Sequence, residues 1–92
     1  MGSTEIIEEM TIVNSLGMHA RPAAKLVQAV LPFESMIFIQ FNGQQVNAKS
    51  IMGLLTLAAA QGTRITVVCN GPDARDAMAA VRALVESGFG EQ

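Results

Sequence analysis

His19 is the only histidine of the chain, and it stands in the stretch Asn14-Ser15-Leu16-Gly17-Met18-His19-Ala20-Arg21-Pro22, just ahead of an apolar periodicity that begins at Ala20. A helix starting at Ala20 puts His19 at its N-cap, beside first-turn amides that point outward without intrahelical partners. That end carries a positive field worth ~0.3–1 kcal/mol to a nearby anion. An imidazole held there is a nucleophile next to an anion site. Arg21 adds a second positive charge with planar donors suited to phosphate oxygens. Pro22 lacks an N–H, but in the first turn that loss is small and its fixed φ suits a helix start. Gly17 permits the tight turn that brings the chain round to the helix. Together these residues describe a place for a phosphoryl group. They also fit a surface histidine at an ordinary helix start, with Arg21 solvated, and the segment alone leaves both readings open.

Other chemistries fit less well. A hydrolytic triad needs a serine or cysteine partnered to the histidine, and Cys69 falls inside a strand-like run with no sign of activation. One cysteine and one histidine do not supply the three or four ligands of a zinc site, so no metal is expected. Phosphoryl transfer needs positioning and charge stabilisation more than proton chemistry, and a partner protein can bring the metal and the leaving group.

The elements that must position His19 can be read from apolar spacing. Ile6 to Val13 reads as a strand. Ala20 to about Leu31 carries Ala23, Leu26, Val27 and Val30 at helical spacing, and Pro32 ends it. In Met36 to Phe41, Ile37, Ile39 and Phe41 alternate with Phe38 and Gln40; Asn42-Gly43 then signals a hairpin into Gln44 to Asn47. Ser50 suits the N-cap of a short helix through about Leu57, and Gln61-Gly62 breaks the apolar run behind it. Arg64 to Cys69 alternates again as a strand. Pro72 and Asp73 open a last helix with Ala74, Met78, Val81, Leu84 and Val85 on one side and Gly88 as C-cap. The order βαββαβα, with one-sided apolar patterns, predicts an α+β fold: a four-stranded antiparallel sheet carrying three helices on one face, in a single domain spanning residues 1–92.

Composition narrows the function classes. Half of the 92 residues are hydrophobic and 15% are charged, yet no apolar run reaches the ~18–20 residues that cross a bilayer, so a soluble domain without membrane insertion is expected. The net charge is −2, the six cations are scattered, and tryptophan and tyrosine are absent, which argues against nucleic acid as a partner. The acidic opening MGSTEIIEEM lacks the apolar core of a signal peptide, and a cytoplasmic location is the expectation.

Gly17-Met18-His19-Ala20-Arg21-Pro22 resembles the active-site signature of the HPr family, phosphocarriers of the bacterial phosphoenolpyruvate-dependent phosphotransferase system. A second segment, Asn47 to Thr63 (NAKSIMGLLTLAAAQGT), resembles the family's serine segment, and the 31-residue step from His19 to Ser50 is the family's spacing. The resemblance covers nearly the whole chain and includes the element order, an open-faced sandwich. It implies that His19 accepts a phosphoryl group on Nδ1 from phosphorylated enzyme I and passes it to a histidine of a IIA protein or domain. Arg21 would contact the phosphoryl oxygens. Met18, Ala24, Ile51, Met52 and Leu55 would form the surface on which partners dock; on residue type alone they also suit a core, Leu55 most and the adaptable thioether of Met52 least.

The resemblance further implies that Ser50 is a target of a dedicated HPr kinase/phosphorylase. A phosphate there adds about −1.5 to −2 charges at a helix N-terminus, which the fold should tolerate while the docking surface becomes anionic. The alternative reading of Ser50 is an N-cap and nothing more. Asn14 to Pro22 and the tail Glu86 to Gln92 resemble the nitrogen-related branch, whereas Lys49 to Gly53 resembles the sugar-linked branch. Leu16 stands where several sugar-branch members have asparagine. The implied carrier is a stoichiometric relay rather than an enzyme, binds no cofactor, relies on Mg²⁺ and phosphoenolpyruvate only through enzyme I, and is monomeric. A regulatory adaptor acting through protein contacts has no need of His19 and Arg21. A small-molecule-binding module finds no Gly-rich nucleotide loop to support it.

Overall fold

The periodic segments fold in the expected order. A computed structural model describes residues 4–91, so Met1–Ser3 and Gln92, the last residue of the tail singled out in the sequence, lie outside the described residues. The elements are β1 (Thr4–Thr11), α1 (Ala20–Val30), β2 (Met36–Phe41), β3 (Gln44–Asn47), α2 (Ile51–Leu57), β4 (Arg64–Gly71) and α3 (Ala74–Glu86), followed by a 3₁₀ turn at Gly88–Gly90. The four strands form one antiparallel sheet in the order β1-β4-β2-β3.

Register places the alternating apolar residues in rows across the sheet. Ile6 pairs with Cys69 and Cys69 with Ile37; Glu8 pairs with Val67 and Val67 with Ile39; Met10 pairs with Ile65. Ile37, Ile39, Ile65, Val67 and Cys69 are buried in these rows, against Ala23, Leu26 and Val30 of α1, Leu54 and Leu57 of α2, and Ala77, Val81 and Val85 of α3. Each fully buried branched aliphatic side chain contributes ~1.5–3 kcal/mol. The opposite face of the sheet carries exposed Glu5, Ile7, Glu9, Gln40 and Gln45.

Three strand boundaries differ from the sequence reading, the first being that β1 already starts at Thr4 rather than Ile6. β1 ends at Thr11, because β4 begins opposite it at Arg64; beyond that pair Ile12 gives its N–H to Thr63 O at 2.9 Å and accepts from Gly62 N at 2.7 Å. The same ladder carries β4 past Cys69, where Asn70 and Gly71 pair with Glu5 and Thr4.

The helix starts use their polar residues differently. Ser50 is the N-cap of α2, its Oγ accepting from Gly53 N at 3.1 Å. Asp73 precedes α3 but makes no side-chain cap. Its carboxylate instead accepts from the Ser35 hydroxyl and from the backbone N–H groups of Glu34 and Ser35, both at 2.9 Å, which ties the entry of β2 to the start of α3. The Ser35 hydroxyl above all, with the two amides, holds the Asp73 carboxyl below its usual range against the opposing effect of desolvation. A depressed folded-state pKa contributes stability above the unfolded value that is lost as pH falls through the folded one. Melting temperature should therefore drop below about pH 4 more steeply for the wild type than for Asp73→Asn. Parallel pH profiles would refute this assignment.

Candidate functional site

The His19 loop is shaped by contact with the segment that leaves α2. Gly17 sits at φ +69°, and a Cβ on it would lie 2.4 Å from Ala59 O. Only glycine lets the two backbones approach that closely. The next residue continues the contact, Met18 N donating to Ala59 O at 2.8 Å. The approach to Ala59 is possible because Ala58 ends α2 in the left-handed conformation, φ +54°. Asn14, buried, closes the loop from inside by donating through Nδ2 to Gly17 O at 2.7 Å.

His19 is the N-cap of α1, with extended backbone, no side-chain cap, and its carbonyl accepting from Ala23 N at 3.0 Å. Its side chain is thus free for other work, and it is half-buried rather than fully exposed. Arg21 in the first turn is exposed. Lys25, one turn further, donates to Phe89 O at 2.6 Å and so fastens the C-terminal segment to α1. With Ser15, Leu16, Gly90 and Glu91, these three side chains surround a recess of about 350 Å³.

The C-terminal segment was not part of the sequence-based site. α3 ends at Glu86 and Ser87 is its C-cap; Gly88, expected in that role, is the next residue, at φ +67°. Phe89 and Gly90 follow at φ +57° and +72°, a tight reversal that buries the Phe89 ring completely. The reversal brings Glu91 back over the loop. Its Oε1 lies 3.1 Å from His19 Nε2 and accepts from Asn14 Nδ2 at 3.1 Å. Burial raises the pKa of this carboxyl, but the hydrogen bonds from His19 and Asn14, with the charges of His19 and Arg21, together hold it below the usual range.

The chemistry of this arrangement is that of an imidazole nucleophile flanked by a cation and a helix start. Cys69 offers no competing nucleophile: burial first, then the Glu8 and Asp73 carboxylates, push its thiol up to about 11.

Comparison with known proteins gives the family of the chain. The family model described as the PTS HPr component phosphorylation site matches residues 6–87. The chain belongs to the HPr family. A phosphocarrier protein HPr from Cupriavidus necator is 48% identical over 83 residues, covering 90% of this chain and 93% of that relative. Among solved structures, an HPr from Thermoanaerobacter tengcongensis superposes with a TM-score of 0.90 at 40% identity, over 95% of this chain and 98% of its own. A second structure from that organism, described as an HPr dimer, gives a TM-score of 0.76 at 43% identity over 89% and 94%. HPr membership supports a phosphocarrier role in the phosphotransferase system.

The surface residues expected from the HPr resemblance divide in the structure. Met52 is 75% exposed, Ile51 41% and Leu55 38%, all on the outer side of α2, opposite buried Leu54 and Leu57. Ala24 of α1 is half-buried. Met18 corrects the expectation: it is 5% exposed and belongs to the core cluster, because the bond from its N–H to Ala59 O fixes the loop with the side chain inward. In its place Leu16 is the exposed apolar residue of the loop, lining the His19 recess. Sequence reasoning missed Glu91, Asn14 and Lys25 as neighbours of the site. The glycines flanking Phe89 were the available signal for a reversal, but nothing local gave its destination.

Proposed function

We propose that this protein is a histidine phosphocarrier that takes a phosphoryl group on His19 from phosphorylated enzyme I and passes it to a IIA protein or domain. The observation that carries the reading is His19 at the N-cap of α1 beside exposed Arg21, in a chain whose family model is that of an HPr phosphorylation site. Nδ1 is the acceptor nitrogen, and Arg21 with the first amides of α1 holds the phosphoryl oxygens. The exposed side of α2, with Ile51, Met52 and Leu55, is where partners dock. The carrier works as a cytoplasmic monomer with no bound cofactor, Mg²⁺ and phosphoenolpyruvate being used by enzyme I. No described helix is long and apolar enough to cross a membrane. Its interfaces are modest and short-lived, since one face engages and releases several proteins.

Incubation with phosphoenolpyruvate, Mg²⁺ and enzyme I should give one acid-labile, alkali-stable phosphoamidate per chain. A chain that stays unlabelled points to the adaptor reading instead.

Ser50 is, in the same proposal, the target of an HPr kinase/phosphorylase. A phosphate on the N-cap of α2 is favourably placed for the helix and unfavourably for anionic partners on the neighbouring face. Label from ATP and the kinase should disappear in Ser50→Ala, and loss of the cap to Gly53 should cost that variant about 1 kcal/mol in denaturant melts. Persistent label would remove Ser50 from this role.

A further inference from the structure

We infer that Glu91 is a positioning residue for phosphoryl transfer: its carboxylate holds the proton on His19 Nε2, leaving Nδ1 as the nucleophile and offsetting the positive charge the ring gains when Nδ1 is phosphorylated. This rests on the phosphocarrier reading and adds to it a residue 72 positions from the histidine.

The geometry carries the argument. An ionised carboxylate only accepts hydrogen bonds, so the 3.1 Å contact between Glu91 Oε1 and His19 Nε2 requires the proton to be on Nε2. The neutral ring then has its lone pair on Nδ1, which makes no hydrogen bond among the described residues. A carboxylate behind an imidazole fixes tautomer and ring orientation in the same way in metal sites and in hydrolytic triads. Glu91 is itself held, by Asn14 Nδ2 at 3.1 Å and by a backbone that Lys25 fastens through Phe89 O. Asn14 is buried and also closes the His19 loop, so one side chain sets both the nucleophile's loop and the group that orients its ring.

The electron count shows why a charged acceptor matters. When Nδ1 attacks the phosphorus of a phosphohistidine on the donor, the Nδ1–P bond forms, the donor's N–P bond breaks, and the donor nitrogen keeps that electron pair. The proton on Nε2 stays in place, so the phosphorylated ring is an imidazolium. On transfer onward the Nδ1–P bond breaks and its pair returns to Nδ1, regenerating the neutral ring with the same proton on Nε2. Loss of that proton from the phosphorylated ring would leave an anionic nitrogen as leaving group, a much poorer one. The charged groups around the ring are Arg21 and Lys25 of α1, both cationic, and Glu91. Glu91 is thus the group in the recess that favours the imidazolium.

The test compares wild type, Glu91→Gln and Glu91→Ala. Histidine-labelled ¹⁵N spectra report which ring nitrogen carries the proton, and transfer rates are followed from pH 6 to 9 with two donors: phosphorylated enzyme I, and phosphoramidate, whose N–P bond breaks with loss of ammonia and which needs no docking. Expected is a fall of about tenfold in both phosphorylation and onward transfer for Glu91→Ala, with either donor. Glu91→Gln, which keeps an acceptor but no charge, should retain the Nε2–H tautomer while the alkaline limb of its onward-transfer rate moves down by about one pH unit. Wild-type tautomer, rates and pH profile in both variants would overturn the inference while His19 phosphorylation stands. An unphosphorylated wild type with both donors would overturn the phosphocarrier reading and this inference with it. Should Glu91→Ala fold poorly by circular dichroism, the pH profile of Glu91→Gln decides.

Discussion

His19→Ala should abolish labelling by phosphoenolpyruvate, Mg²⁺ and enzyme I, reducing it to background, while leaving the melting temperature almost unchanged. Both halves follow from the same geometry. The ring is half-buried and makes no side-chain cap, so its removal leaves α1 with its backbone start intact: the His19 carbonyl still accepts from Ala23 N. Among the described residues Cys69 offers no substitute, being buried with its thiol raised to about 11, and Ser50, the N-cap of α2, is a hydroxyl whose label would come from ATP and a kinase rather than from enzyme I. Labelling that persists in His19→Ala would place the phosphoryl group elsewhere and refute the site. Arg21→Ala serves as the graded companion, with labelling slowed rather than abolished because the first amides of α1 remain.

Phe89→Ala should be the most destabilising single truncation near the site, by about 3–5 kcal/mol, which in a domain of this size lowers the melting temperature by roughly 15–25 °C. The ring is fully buried in the core cluster and occupies a left-handed backbone position, φ +57°, between two glycines that also have positive φ. Its burial holds that reversal in place. Truncation leaves a cavity and removes the anchor of the segment that carries Glu91 to His19. Loss of stability should therefore be accompanied by loss of the ¹⁵N signature of the Nε2–H tautomer in the molecules that remain folded. A melting temperature within a few degrees of wild type would show that the ring is not the anchor.

Much of this was legible in sequence, for local reasons. Alternation in Met36–Phe41 and Arg64–Cys69, the Asn42-Gly43 hairpin and the cap at Ser50 are short-range signals, and each appears at the expected place. Where a boundary moved, the cause was a partner distant in sequence: β1 stops at Thr11 because Gly62 and Thr63, not a neighbouring strand, take the hydrogen bonds of Ile12. Met18 was misplaced for the same reason, its orientation being set by Ala59. Glu91 lay beyond local reasoning altogether. Neither its residue type nor its surroundings pointed to His19; the connection runs through the complete path of α3 and the reversal at Gly88–Gly90.

These long-range supports bear on how the protein comes into being on the ribosome. Among the described residues the first strand pairs only with β4, some sixty residues later, and the histidine loop rests on Ala59 while its ring meets Glu91. Translation adds ~5–20 residues per second, so the nascent chain spends several seconds with His19 outside the exit tunnel and its braces still unmade. A half-made carrier therefore presents neither the shaped loop nor the oriented ring, and it should not compete with finished molecules for phosphoryl donors.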